Sequence, residues 1–515
     1  MKHYIIIILL IVPFLLYGQQ PYNQKKISEL TNEIVKEIEK TNKLIRDYRG
    51  NDIRNKLKEI ASKEELIELI NHPNGVVRCN TFWTLSHDKS VDLLSIILNH
   101  IEDDELINTI DDDLIWHEMV GDFFINVVTP RYIDLKSTKL DTMQRATLDS
   151  MLIYSNSKLE AKQEAILNAK PTEFLYHRIR ELYVKENNQS ALVTLAKYRK
   201  QEDIQLILEN KYKYKKYDYD EEDDEDEYIY EYGYTYKAIQ EFPHNDFISL
   251  LEKKLYETLD KTHYSNEWSV LYRAIAKYKN AKVVELLTVP FTQVKHEDIR
   301  EYHMRFVYNA IRENIDEMYD FLFWKFWSEE NLITPDVFQY LMEKDSIKVL
   351  ELTKKNLANI NQMDSIKVFN YDNYENKDKY DYDNYNFFTY SEYKSRIISV
   401  MLSFVLKHDY EFGLEVIQEN IKNADVPLML HLIKKAIEIK DSSFIEPLFK
   451  RLAEEYYSYM YLSIANVLLS YRDNTINERI LKIRKTKNNL IEDWGNKYLD
   501  ELLEKYNVKK GKNKK

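Results

Sequence analysis

From residue 27 to 506, apolar residues recur at the 3.6-residue spacing of α-helices with few interruptions. Ile27, Leu30, Ile34, Ile38 and Ile45 trace one stripe, and Leu66, Leu69 and Ile70 trace another. No run alternates strictly in the manner of a half-buried strand, and no Asn-Gly pair stands between two such runs. Asn74-Gly75 comes nearest, but it follows Pro73 and separates two helical stripes, so it reads as a helix–helix turn. The pattern predicts an all-α chain.

Self-similarity narrows the architecture. "NDFISLLEKKL" (245–255) aligns without a gap on "SSFIEPLFKRL" (442–452), and "LAKYRKQEDIQLI" (195–207) aligns on "IAKYKNAKVVELL" (275–287). In each, a helix closes in a short polar turn and the next opens on an aliphatic anchor: Ile204, Ile248, Val284 and Ile445. Val91 and Val349 fit the same position. Several intervals between anchors fall near multiples of ~35 to 45 residues, the size of a two-helix repeat unit.

The stretch "HPNGVVRCNTFWTLSHDKSVDLLSIIL" (72–98) resembles a HEAT repeat, with Val77 and Arg78 at the Val-Arg position of that family. "AIEIKDSSFIEPLFKRL" (436–452) resembles its other half, and the likeness extends loosely over residues 60–470. The resemblance implies an irregular HEAT-like α-α superhelix, or solenoid, whose stacked pairs cover one another's apolar faces. It implies no activity.

Two stretches break the helical pattern. In residues 212–237, nine of the ten positions from Asp218 to Glu227 are acidic, and residues 369–393 form a Tyr/Asp/Asn run. Both read as acidic, Tyr-rich, mobile insertions between repeats. The expected organisation is a signal peptide (1–18), N-terminal helices (19–60), solenoid parts at 61–211, 238–368 and 394–506 flanking the two insertions, and a basic tail (507–515).

Composition limits function. The 515 residues are 44% hydrophobic and 31% charged, ample for a packed core. Only 8 Gly and 10 Pro occur, against usual levels of roughly 7% and 5%, which disfavours Gly-rich nucleotide loops and all-β turns. A net charge of -13 argues against a nucleic-acid partner. The lone Cys79 can form no internal disulfide and reads as a small buried side chain. Met1 to Gln20 has one Lys, an apolar run from Tyr4 to Tyr17 and then Gly18, the three regions of a secretory signal. Cleavage after Gly18 would leave an exported chain, periplasmic or extracellular, without a stable membrane span.

Candidate chemistry is sparse. The acidic run lacks the EF-hand spacing and its central Gly, so it reads as a self-repelling loop in place of a calcium site. Interleaved Tyr and Asp suit sugars, peptides or basic partners, and a compositional bias toward Tyr, Asn, Lys and Ile accounts for them equally. His296 and His303, with Glu297 nearby, sit seven apart and miss the His-Glu-x-x-His spacing that aims two imidazoles at one metal; they read as a surface or half-buried pair. His117 and Glu118 stand beside aromatics without a third ligand and read as packing. Trp324 and Trp327 in residues 321–342 read as core. Motifs for nucleophilic serine, phosphate loops, dinucleotides and paired cysteines are absent, so no catalytic, cofactor or metal residue is assigned. The leading expectation is a non-catalytic scaffold that binds a protein or peptide along the concave face of a solenoid. The rivals are an enzyme or enzyme subunit with a groove site that no motif reveals, and a toxin-neutralising protein whose acidic insertions mask a basic surface.

Overall fold

The computed structural model describes residues 21–508 apart from 130–133, 135, 213, 216–228, 359, 361–389, 456 and 487–492. The expected signal peptide (1–18), most of both insertions and most of the basic tail lie outside the described residues. The chain is all-α apart from two small sheets. It divides into two compact units, residues 1–250 and 251–515.

The helices of the first unit are α1 (Glu29–Thr41), α2 (Tyr48–Ile60), α3 (Lys63–Leu69), α4 (Gly75–Leu85), α5 (Leu93–Asn99), α6 (Val120–Val128), α7 (Thr142–Tyr154), α8 (Glu160–Asn168), α9 (Glu173–Glu186), α10 (Gln189–Ala196), α11 (Ile204–Glu209) and α12 (Gly233–Glu241). Each of α3, α5, α7, α9 and α11 packs on the helix that follows it, and α2, α4, α6, α8, α10 and α12 form a row in which each packs on the next. Helices in the row are covered from several sides at once. Every residue of α4 and of α10 is buried, which explains why "GVVRCNTFWTL" and "QSALVTLA" carry no amphipathic stripe. The outer helix α9 does carry one, burying Tyr176, Ile179 and Leu182.

The second unit holds α13 (Ile248–Thr258, which spans the boundary), α14 (Glu267–Ile275), α15 (Ala281–Thr288), α16 (Pro290–Gln293), α17 (Glu297–Arg312), α18 (Asp320–Glu330), α19 (Pro335–Lys344), α20 (Ser346–Leu357), α21 (Tyr390–His408), α22 (Tyr410–Ile421), α23 (Val426–Ile439), α24 (Ile445–Glu454), α25 (Ser458–Ser470), α26 (Asn474–Thr486) and α27 (Asp493–Lys505). A second row runs α19, α21, α23, α25, α27. Neither interval read as an insertion interrupts its row, because α10 still packs on α12 and α19 on α21. The first interval is closed at its base by an antiparallel ladder, β4 (Tyr214–Lys215) on β5 (Ile229–Tyr230), and its end, from Gly233, belongs to α12. Likewise Tyr390 already opens α21.

With so few glycines, helices end on asparagine. Asn42, Asn187 and Asn331 take the left-handed cap conformation at φ 48°, 52° and 51°. The aligned segments share a joint: a single 3-10 turn, Asn245–Phe247 or Ser442–Phe444, runs directly into an α-helix. Ile204 and Val349 are buried where the alignment placed the anchor. At three further joints the buried residue is one earlier: Phe247, Val283 and Phe444 are buried, while Ile248, Val284 and Ile445 are only partly so.

The sheet of the first unit departs from the sequence reading. β1 (Leu44–Ile45) pairs in parallel with β2 (Leu106–Asp111), and β2 forms a hairpin with β3 (Leu114–Met119). Ile45 is thus a strand residue, and Leu30 of the same expected stripe is exposed. The period of two is present, with Ile107 and Thr109 inward, but the outward positions Leu106, Ile110 and Ile115 are apolar as well, which erases the alternation. The turn uses Asp112 at φ 51° where a hairpin signal would show Gly. Arg46 fastens the hairpin from within: Nη2 donates to both oxygens of Glu118 at 2.8 and 2.7 Å, and the guanidinium lies 4.9 Å from the Trp116 ring centroid.

Arg78 joins the turns on either side of the α4/α5 pair. Its Nη1 donates to the carbonyls of His72 (2.7 Å) and Pro73 (3.1 Å), Nε and Nη2 donate to Asp103 (3.0 and 2.9 Å), and Nη2 also donates to Glu105 (2.5 Å). All five of its donors are used. Burial works to raise the pKa of Asp103, yet His100 and Arg78 hold it below the usual carboxylate range. Glu105 also accepts from the Gly75 N–H at 2.9 Å, an approach that a Cβ at residue 75 would obstruct at 2.8 Å.

Removing Arg78 leaves Asp103 buried with His100, 3.2 Å away, as its remaining partner. Arg78→Ala is expected to destabilise the first unit by about 3–5 kcal/mol. Cys79 reports the loss: it is fully buried, and burial pushes its thiol well above the ordinary range. The native thiol should therefore resist alkylation until denaturant opens the unit. Arg78→Ala should label at clearly lower denaturant, and an unchanged labelling midpoint would contradict this role.

Candidate functional site

The outward face of α9 follows helical spacing: Phe174, His177, Arg178, Glu181, Val184 and Lys185. Together with Tyr154 at the end of α7 and with Arg180, these residues line an open groove of about 710 Å3. Phe174 and Val184 are more than half exposed, at 53% and 54%, and Tyr154 is 41% exposed, so three large apolar side chains face solvent in one place.

The helix is rigidly held from its other face. Tyr176 Oη donates to Glu202 Oε1 (2.6 Å) and Asp203 Oδ2 (2.9 Å), and Arg180 Nε donates to Asp203 Oδ1 (3.1 Å). Tyr183 Oη donates to the Leu206 carbonyl at 3.1 Å. In the groove, Arg178 Nε donates to the Ile153 carbonyl (3.1 Å), fixing its guanidinium 6.0 Å from the Tyr154 ring centroid. Glu181 accepts from Lys185 (2.8 Å) and Arg178 (3.2 Å), and those partners, Lys185 first, keep its carboxyl below the usual range. The lining thus carries Arg178, Arg180 and Lys185 with Glu181, although Arg180 is also paired with Asp203 and Arg178 lies 3.7 Å from Glu186. No serine, threonine or cysteine belongs to the lining.

The residues weighed from sequence fall elsewhere. His303 is fully buried in α17, not part of a surface or half-buried pair: its ring stacks on Trp268 with centroids 4.4 Å apart, and Nδ1 lies 2.7 Å from the Tyr272 hydroxyl. His296 is the residue before α17, and the two imidazoles do not share a site. Glu118 faces Arg46 on the inner side of the hairpin, and His117 is on the opposite side. Trp327 is buried and donates to Asn356 Oδ1 at 2.6 Å, with Trp324 stacked on it. The acidic run 218–227 lies outside the described residues. A different carboxylate group, Asp47, Asp111 and Asp112, has oxygens within 4.8 Å of one another at the hairpin turn; there the Asp112 N–H donates to Asp47 at 3.3 Å.

Sequence reasoning missed the groove although its signal was present. Phe174 and Val184 occupy the stripe opposite the Tyr176–Ile179–Leu182 face, and a helix with large apolar residues on both faces has one face that its own core does not use. Comparisons with protein-family models, curated proteins and solved structures return no match.

His303 sets a pH dependence in the second unit. Burial lowers its pKa to about 4, whereas an unfolded histidine titrates near ~6.5. Protons therefore favour the unfolded chain between those values, and the stability this residue contributes is present above pH ~6.5 and lost as pH falls toward 4. The denaturation midpoint of the second unit should drop between pH 7 and pH 5, and His303→Phe should flatten that slope by about one proton. An unchanged slope would contradict it.

Proposed function

We propose that this protein is a non-catalytic binding protein built of stacked helix pairs, which takes a carboxylate-rich protein or peptide segment on the α7–α9 groove. The observation that carries the reading is that Tyr154, Phe174 and Val184 line one open groove together with Arg178, Arg180 and Lys185, on an otherwise acidic chain. Arginine recognises carboxylates in a planar, bidentate way, and aromatic side chains supply contact area at low entropic cost. A segment with acidic and apolar side chains meets both needs.

The packing order of the first unit, and of the second from α19 onward, supports a HEAT-like, two-helix reading: outer helices pair with inner ones, and each inner helix packs on the next, which is the arrangement a solenoid repeat produces. Among the described residues, no helix is long and apolar enough to cross a membrane. Export is the part of the proposal that rests on residues 1–18 alone.

The probe is a fluorescent peptide of alternating Glu and Phe, titrated with the full chain. Binding is expected to weaken at least tenfold on Arg178→Glu/Arg180→Glu, and to fall between 50 and 300 mM salt because exposed charges are screened beyond ~8–10 Å. Binding that survives the charge reversal, or no binding at low salt, would overturn the assignment.

A further inference from the structure

We infer that the outward face of α9 is a self-association surface, on which α9 of a second copy of this chain lies antiparallel across a two-fold axis at Ile179. The inference goes beyond the reading above: it uses the same groove with a different occupant. Residues 173–185 read "EFLYHRIRELYVK", and the segment is self-complementary about Ile179. Counted outward from that residue, Glu173 mirrors Lys185, Phe174 mirrors Val184, and His177 mirrors Glu181. Apolar side chains mirror apolar ones, and each carboxylate mirrors a basic side chain.

The same six residues are the ones the fold leaves accessible. Glu173, Phe174, His177, Val184 and Lys185 are exposed and Glu181 is half-buried, while Tyr176, Ile179 and Leu182 are committed to the core of the unit. Phe174, His177, Glu181 and Val184 follow the 3-4-3 spacing along which one helix seats on another. A two-fold axis makes every contact reciprocal, so an antiparallel pair centred on Ile179 sets each residue against its mirror in the second copy. Val184 of the second copy then rests on Phe174, whose ring centroid lies 6.2 Å from that of Tyr154. Each pair of chains makes that apolar contact twice.

Charge selects the antiparallel arrangement. A parallel pair sets Glu173 against Glu173 and Lys185 against Lys185, whereas the antiparallel pair sets the Glu173 of each first turn against the Lys185 of the other last turn. Both side chains reach outward, at 87% and 72% exposed. Glu181 already accepts from Lys185 and Arg178 in its own chain, and His177 of the second copy extends that network. Exposed ion pairs contribute little each, so the apolar contacts supply the affinity and the charges supply the direction. The face is small beside the ~1,200–2,000 Å2 of stable interfaces, which makes the pair reversible, with a dissociation constant on the order of 10–100 μM. The net charge of -13 on each copy opposes association at long range, and salt screens that opposition.

Sedimentation of the full chain between about 5 and 300 μM should show a monomer–dimer equilibrium that is as tight at 300 mM salt as at 50 mM, or tighter. Glu173→Lys and Lys185→Glu should each weaken it about tenfold, since like charges then face one another, and the two together should restore it because the swap re-forms both mirror pairs. Disulfide trapping reads the orientation, and the native Cys79, fully buried, stays out of the reaction. A mixture of Phe174→Cys and Val184→Cys proteins should cross-link, because the mixed pair brings the two thiols together and keeps the other Phe174–Val184 contact. Neither variant should cross-link alone, since in each the two thiols stand ten residues apart along the helix, about 15 Å. A chain that stays monomeric over the whole range, a double swap that fails to restore pairing, or either cysteine variant cross-linking alone as readily as the mixture would overturn the proposal. Pairing without binding of the Glu–Phe peptide would sink the carboxylate reading and leave this one standing, and peptide binding by a chain that never pairs would do the reverse.

Discussion

An apolar-all-round helix such as α4 or α10 is stable only when enclosed. Each can be covered by its outer partner on one side, and by the preceding and following inner helices on two more. That requirement, at roughly 25 cal/mol for each Å2 of apolar surface withdrawn from water, ties every inner helix to its neighbours and leaves the outer helices with one committed face. The remaining faces of the outer helices are then available for binding. The groove on α9 is such a face. The hairpin lies between α5 and α6 and is fastened by Arg46.

Electrostatics is used locally and at the joints. Arg78 and Arg46 each spend a buried guanidinium on linking segments distant in sequence, and their carboxylate partners are satisfied there. Removing one partner of such a pair is costly because it strands the other in low dielectric. His303 serves the second unit differently, as a neutral, stacked core side chain. The same residue types therefore have little chemical freedom inside the units, and groups with room to meet a ligand lie on α9.

Much of the fold was legible in the sequence. Helical periodicity, the helix–helix turn at Asn74, whose side chain accepts from the Val77 N–H at 3.1 Å, and the burial of Cys79 follow from local rules. The recurring joint was visible too, in register at Ile204 and Val349 and one residue out at Ile248 and Ile445, where a 3-10 turn places Phe247 and Phe444 inward before the α-helix begins. The hairpin was illegible for a physical reason: apolar residues face both ways, and aspartates make the turn. The groove was legible in principle. Phe174 and Val184 are unexplained by the core stripe of α9, but only the position of Tyr154 on a neighbouring helix shows that they gather at one place.

Amide hydrogen exchange resolved by mass spectrometry tests the central claim most directly. If the inner row is the element on which each unit depends, amides in α4, α6, α10 and α25 should exchange only with unfolding of their whole unit, while those of α7 and α9 open earlier. Inner-row helices that exchange as fast as the outer ones, or before them, would contradict the account.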